Sequence, residues 1–462
     1  MENRKRHCWE CLRLSLVCDF TEPECKRCSV AGVTCPGYGE TKPLRLNWVA
    51  PGKVRSRTRK TKDKGPKTLG VPVNSAMYPL MVALNELGRH PGIRKIQPVH
   101  IDAGMTRPDF IRLNIVCMAL NHRMNRAGDK REALALTHAY YHFRGLVLRS
   151  LNEEIRLERN RTRNVNVLIV GILSLLLADA HQGEPLHWRC HLQGVQQLIM
   201  LRGGLRAMTG PGIQPLLLCY TYVTVIGDTS SPASDLTMTT PLLAELITIL
   251  KDNGDKPYSF YPFPTPLFAA TVEINYLRAR AISRVQTETE TDPENFFQEA
   301  EQILQHIQSF HPEQWSKSRP AKPAWLLLAR LMQAAVAIYC ISSLSSLSLL
   351  SHKHDHDHAK TTSRKSLYTL LKQALSAPWF NGSLTWPLVV LGVDAVNDSA
   401  NMRAFVKEGL TDLSYRGGSY VPLMAKGVLE RYWAGGGGGW DVCFDRPYAM
   451  TMQWTVNRHN LR

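Results

Sequence analysis

Cys8, Cys11, Cys18, Cys25, Cys28 and Cys35 write one short unit, C-x2-C-x6-C, twice, with six residues between the copies. Nothing else in the chain restricts its folding so tightly. Two thiolates two residues apart clamp one face of a metal ion, because a tight turn brings both sulfurs together. Cys8, Cys11, Cys25 and Cys28 alone fit one tetrahedral zinc. Cys18 and Cys35 then stand idle at matching places in the two units. Two zinc ions use all six: six thiolates fill eight tetrahedral positions if two of them bridge. The first cysteine of each unit, Cys8 and Cys25, forms the natural bridging pair. A disulfide framework belongs to secreted chains. The opening MENRKRHCWE is charged and has no apolar run of the kind a secretory signal needs. So short a segment buries too little to fold unaided, and metal must supply the folding energy.

CWEC, VCDF, CKRC and VTCPGYG, taken with this spacing, resemble the fungal Zn2Cys6 binuclear cluster of transcription regulators. The resemblance implies Cys8, Cys11, Cys18 and Cys25 on one zinc, and Cys25, Cys28, Cys35 and Cys8 on the other. Both Zn2+ ions are then structural, since thiolates fill every coordination position and leave none for water or substrate. It implies two short helices, starting near Cys11 and Cys28 and packed around the ions with pseudo-twofold symmetry. It also implies that the first helix enters the major groove of double-stranded DNA. There it would read a CGG-like triplet through backbone carbonyls and a lysine or arginine. The family's basic residues lie between the second and third cysteines. Here Leu14 and Ser15 stand where a basic pair is usual, and Arg13 is the one charge left in that loop. Ser15 can hydrogen-bond a base or a phosphate, but a lost bidentate contact costs ~1–3 kcal/mol of discrimination. Lys26 and Arg27, between the fourth and fifth cysteines, can hold phosphates or share the reading. Ordinary solvated charge explains them equally well.

Charge distribution decides what the net +17 means. Residues 1–36 carry six Lys/Arg against five Asp/Glu, and two zinc ions with six thiolates would take that module to about −1. Residues 37–70 carry ten Lys/Arg against Glu40 and Asp63, a net +8. The stretch KVRSRTRKTKDKGPK carries Lys53, Arg55, Arg57, Arg59 and Lys60 interspersed with Val54, Ser56 and Thr58, has no apolar period and is flanked by Pro51 and Gly52. It reads as a linker, flexible until bound. It can follow DNA phosphates, serve as a nuclear import signal, or simply solubilise; a like-charged arm beside a metal-held DNA module favours the first two. No heptad pattern follows it, because Pro79, Gly88, Pro91, Gly92 and Pro98 interrupt residues 77–100. Pairing of two copies of the chain is therefore left open.

The remainder, residues 76–462, reads as mostly helical. Segments 133–157, 165–179, 186–201, 215–226, 241–251, 267–286, 293–310, 323–350, 361–375 and 388–408 have apolar residues at helical spacing, and strand alternation is rare. In 133–157 the apolar positions are Leu134, Tyr141, Leu148, Leu151 and Ile155, with basic residues between. Residues 331–351 are long and uncharged enough to span a membrane. Six serines and Gln333 instead make them a buried helix. Helices without parallel-sheet signals argue for an all-α array. Trp188-x2-His191-x2-Gly194-x3-Leu198-x3-Arg202-Gly203-Gly204 resembles the fungal-specific regulatory domain that often accompanies such clusters. So do Trp386-Pro387-Leu388 through Gly392-Val393-Asp394-Ala395, and the pair Trp433 and Trp440 around a five-glycine run. In that family the domain is regulatory, with no assigned catalytic residues.

Four other features are better read as structure than as sites. His187 and His191, with His181 nearby, have zinc-compatible spacing but no neighbouring glutamate, so core histidines are the simpler reading. His352-Lys353-His354-Asp355-His356-Asp357-His358 reads as a low-complexity surface loop that can hold metal loosely. The acids of 287–301 around Phe296 and Phe297 read as a loop and the acidic first turn of a helix rather than an activation segment. Gly435–Gly439 lacks the Lys-Ser/Thr of a phosphate loop and reads as a flexible connection.

The expected organisation is a small Zn2Cys6 module at 1–36, a basic flexible linker at 37–75, and a large all-α helical regulatory domain at 76–462. The expected protein is a nuclear, zinc-dependent, sequence-specific DNA-binding regulator of RNA polymerase II genes. Its partners are DNA and the transcription machinery or co-regulators, with no membrane. The alternative is a zinc-scaffolded co-regulator that acts through protein contacts and binds DNA only non-specifically. An enzyme is disfavoured, because no nucleophile–base pair or cofactor loop stands out. If the basic arm carries the electrostatic affinity, neutralising Arg55, Arg57, Arg59 and Lys60 together will flatten log K against log salt by ~0.9 per lost phosphate contact. An unchanged slope would show that the arm is not on the phosphates.

Overall fold

The computed structural model describes residues 8, 11, 18–30, 32–33 and 35–38, and 109–450 with short gaps. The chain divides into two units, Met1–Gly70 and Val71–Arg462. In the first, helix α1 (Lys26–Val30) is described together with the cysteines. Arg13, Ser15, Lys53, Arg55, Arg57, Arg59 and Lys60 lie outside the described residues, as does nearly all of the expected linker.

The described part of the second unit is helical throughout, as the apolar periodicity requires. Its helices are α2 (Asp109–Arg126), α3 (Lys130–Glu158), α4 (Val165–Gln182), α5 (Trp188–Leu201), α6 (Ile213–Thr229), α7 (Thr240–Asn253), α8 (Thr265–Thr287) and α9 (Pro293–Ser309). Then come α10 (Pro312–Ser316), α11 (Lys322–Ser346), α12 (His354–Leu375), α13 (Thr385–Asp394), α14 (Ala400–Gly417), α15 (Val421–Ala434) and α16 (Trp440–Cys443). Helix α11 is the hub: it packs on α8, α9, α10, α12, α13 and α16. Helices α2, α3 and α4 form a second group, and α14 and α15 reach back to α2 and α4. That return is pinned by polar contacts: Tyr420 N–H donates to the His181 carbonyl at 2.9 Å, and Asn125 Nδ2 donates to the Gly418 carbonyl at 3.0 Å.

Two helices, α4 and Pro323–Ser346 of α11, have the length and composition to cross a membrane; 50% and 67% of those windows are buried inside the protein. This agrees with a core role for residues 331–351. Within α11, Leu331, Ala335, Val336, Ile338 and Tyr339 are fully enclosed.

Several expectations are corrected. Segment 388–408 is two helices, α13 and α14, separated at 395–399. The histidine tract is not a loop: from His354 onward it forms the first turns of α12, and His356 is buried. Along α3, Tyr140, Val147 and Leu151 face the core, whereas Leu134, Tyr141 and Ile155 are exposed. The glycine run joins α15 to α16 as a defined turn. Gly437 N–H donates to the Tyr432 carbonyl at 3.2 Å, and Gly436–Gly439 all have φ between 80° and 136°, a region that L side chains rarely adopt.

Three of the motif tryptophans, Trp188, Trp386 and Trp440, converge on one place, the end of α6 and the turn after it, whereas Trp433 Nε1 donates to the Gly392 carbonyl at 2.8 Å. Trp188 lies against Gly227, where a Cβ would stand 2.4 Å from its ring. Trp386 Nε1 donates to Thr229 Oγ1 at 2.9 Å, and Trp440 Nε1 donates to the Thr229 carbonyl at 2.8 Å. Residues 440–448 seal this turn: Tyr448 N–H donates to the Ser230 carbonyl at 2.9 Å, and Ser230 Oγ donates to the Tyr448 carbonyl at 2.6 Å. Beneath it Arg278, wholly buried, donates to Asp441 Oδ1 at 2.7 Å, to Tyr339 Oη at 2.9 Å and to the Ser231 carbonyl at 3.0 Å.

His191 takes a structural place. Its Nε2 lies 3.6 Å from Asp179 Oδ2, which Arg144 also grips in a two-pronged pair at 2.7 Å. Burial alone would raise the Asp179 carboxyl; Arg144, His191 and Tyr140 overcome that and hold it below the ordinary carboxylate range. A depressed carboxylate contributes stability that is present at neutral pH and lost as the pH falls through its folded pKa. Arg144→Met strands that charge. Its expected cost is about 3–5 kcal/mol in urea unfolding at pH 7. The deficit should narrow on acidification, once Asp179 is protonated in both proteins. A deficit that stays constant with pH would show that lost packing is responsible.

Candidate metal centre

The two sequence units fold alike around their cysteines. Cys11 N–H points at Cys8 Sγ (3.4 Å), and Cys28 N–H points at Cys25 Sγ (3.3 Å). Each C-x2-C turn thus aims a backbone donor at its first sulfur, as expected where that sulfur carries negative charge. Cys11 is helical, and α1 begins directly after Cys25 rather than at Cys28. Asp19 caps α1 by accepting the Lys26 N–H at 3.1 Å and the Thr21 hydroxyl. Lys26 and Arg27 are exposed on α1.

All six cysteines are buried and none is paired in a disulfide. They form two groups, Cys8, Cys11, Cys18 and Cys25, and Cys8, Cys25, Cys28 and Cys35, in each of which the four sulfurs lie within 4.8 Å of one another. Cys8 and Cys25 belong to both, 3.6 Å apart, with Cys8–Cys28 and Cys11–Cys25 at 3.8 Å. A tetrahedron with metal–sulfur bonds of about 2.3 Å has edges of roughly 3.8 Å, so the donor set fits zinc. The sharing is that of the expected bridging pair.

Protonation follows the crowding. Burial, then neighbouring sulfurs, pushes the Cys11 thiol up to about 12 and raises Cys8 and Cys28 as well. Burial also opposes ionisation at Cys18. Backbone hydrogen bonding and the Tyr38 hydroxyl, 3.5 Å from its sulfur, outweigh it and lower the thiol to about 6. Six sulfurs this close do not all ionise without cations among them. Tyr38 was not foreseen from the sequence; its hydroxyl also donates to the Thr21 carbonyl at 2.9 Å, and with Phe20 it walls the cluster. A tyrosine three residues past Cys35 was the one available signal. Among the described residues no other group of three or more His, Cys, Asp or Glu side chains is gathered for a metal.

Comparison with known proteins agrees with this picture. The family described as "Fungal specific transcription factor domain" matches residues 99–456. The chain is 38% identical, over 98% of its length and 91% of the relative's, to the "Phomenoic acid biosynthesis cluster-specific transcriptional regulator" of Leptosphaeria maculans. No solved structure matches. Together the family match and this end-to-end likeness show that the chain belongs to the fungal transcription factors carrying the fungal-specific domain, and that it is a regulator of transcription, not an enzyme.

Proposed function

We propose that the protein is a nuclear, zinc-dependent regulator that binds specific double-stranded DNA sites through residues 1–36, holds the flanking phosphates with its basic arm at 37–75, and is controlled through residues 76–462. One observation carries this reading: two overlapping sulfur tetrads that share Cys8 and Cys25. Zinc, when bound, supplies the counter-charge that lets all six thiols ionise and fixes the fold of the module. The chain's own residues do the rest. Cys8 and Cys25 hold the two halves in register, and Tyr38 and Phe20 exclude water from the sulfurs. Exposed Lys26 and Arg27 meet phosphate or base edges beside Arg13 and Ser15. Arg55, Arg57, Arg59, Lys60 and Lys53 follow the backbone. The relative's name makes the genes of a biosynthetic cluster the natural targets.

Selection of binding sites from random duplexes at two salt concentrations tests the reading. Enrichment of CGG-like triplets at both is expected. Leu14 and Ser15, in place of a basic pair, favour the second reading, a co-regulator that works through protein contacts; affinity without any enriched sequence would establish it.

The shared pair gives a sharper test. Metal analysis of the reduced protein should return two zinc ions per chain. Cys35→Ser touches one tetrad and should leave about one, while Cys25→Ser touches both and should leave almost none. Equal loss in the two variants would remove the bridging role.

A further inference from the structure

We propose that the outer face of α3 is a contact between two copies of this chain, which pair antiparallel along it with Gly145 of each copy at the crossing. The surface belongs to the helical unit and does not involve the cysteine centre.

Helix α3 carries two stripes where a surface helix needs one. Tyr140, Val147 and Leu151 form the inward stripe, and all three are buried. The second runs Leu134, His138, Tyr141, Gly145, Leu148, Asn152, Ile155, in alternating steps of four and three residues. Leu134 stands six residues before Tyr140, and Tyr141 six before Val147, which turns this row about 120° away from the inward pair. Leu134 is 62% exposed, and Tyr141 and Ile155 are each 42% exposed. Large apolar side chains thus recur every seven residues, with His138, Gly145 and Asn152 recurring every seven between them. Seven is the period at which two helices stay in contact side by side. Gly145 adds an independent sign. It stands in the middle of the helix, where glycine is less stable than alanine. A Cβ built there meets nothing within 4 Å, and its φ is outside the left-handed region. Neither the backbone nor the packing of this chain calls for glycine at that place. A second backbone passing close to it does.

The occupant follows from the way this stripe matches itself. A two-fold contact requires a surface to be its own complement. An antiparallel pair with its axis midway between Gly145 and Leu148 sets Gly145 of each copy against Leu148 of the other, Tyr141 against Asn152, and Ile155 against His138. In every pairing a large apolar or aromatic side chain meets glycine or a polar residue, so the two rows interdigitate. The antiparallel order also lays the positive end of each helix dipole beside the negative end of the other. From Leu134 to Ile155 the strip is about 32 Å long and about 10 Å wide. That is roughly 300 Å2 on each copy, well below the ~800 Å2 per partner of a standard interface. Pairing is therefore weak, in the micromolar range, and depends on close approach at Gly145.

The test is sedimentation velocity of the full-length, reduced, zinc-loaded protein without DNA, from about 1 to about 100 µM. A reversible monomer–dimer equilibrium with a micromolar Kd is expected. Gly145→Ala should act in opposite directions on the two properties. It should raise the melting temperature by about 1–2 °C, because the Cβ has room and alanine favours the helix. It should also weaken pairing about tenfold, because the Cβ meets Leu148 of the other copy. Tyr141→Ser should weaken pairing by about tenfold or more. Gly194→Ala in α5, where a Cβ also meets nothing within 4 Å, is the control and should leave pairing unchanged. Unchanged circular dichroism checks that the variants fold. A parent protein that stays monomeric at about 100 µM overturns the proposal and leaves the strip to a helix of another protein. So does pairing that Gly145→Ala and Tyr141→Ser leave untouched, or that Gly194→Ala weakens as much as Gly145→Ala does.

Discussion

Sulfur crowding sets the terms for the amino-terminal unit. Six thiols gathered at contact distance, with Phe20 and Tyr38 the apolar residues packed against them among the described residues, form an arrangement that neutral side chains have no reason to adopt. Held as thiolates they would repel one another by several kcal/mol per pair at the dielectric of a protein surface. The geometry suits a positive charge placed among the sulfurs. Its two-unit symmetry, with a backbone N–H aimed at each first sulfur, follows from writing the same cysteine spacing twice.

The helical unit solves a different problem. It buries an arginine completely and must return that charge's solvation from within. Carbonyls at the end of α6, a tyrosine of α11 and an aspartate of α16 do so together. The same turn receives three tryptophans from distant parts of the chain, two of them donating to Thr229. The tryptophan-bearing patches that resemble the regulatory domain are thus the contacts that fasten its far ends to one buried turn, which accounts for their presence without any catalytic role.

Much of this was legible in the sequence. The cysteine spacing picked out the six sulfurs that the structure gathers into two groups sharing Cys8 and Cys25, and apolar periodicity located nine helices as single segments but ran α13 and α14 together as a tenth. The omissions have physical causes. Helix α2 escaped because its buried side includes Asn114 and Asn121, which bond to the carbonyls of Gly171 and Ala178; hydrophobic scanning counts them as solvent-facing. The start of α12 read as a loop because only His356 in it is buried, and a single inward residue leaves no period to detect. Leu134, Tyr141 and Ile155 had the right spacing for a core stripe but lie on the outer side of α3. Periodicity reveals a stripe, not which side of it the neighbours occupy. Charge runs identified the basic arm, but no property of sequence alone tells what such an arm touches.

The bond between Arg278 and Asp441 joins residues 163 positions apart. At ~5–20 residues per second, a ribosome delivers the aspartate on the order of 10–30 s after the arginine. Throughout that interval the buried arginine lacks the Asp441 carboxylate, and the turn after α6 lacks the tryptophan and tyrosine that cover it. The helical unit therefore cannot complete this set of contacts before its last helix is made. The final burial of that turn waits until the chain has emerged through Tyr448.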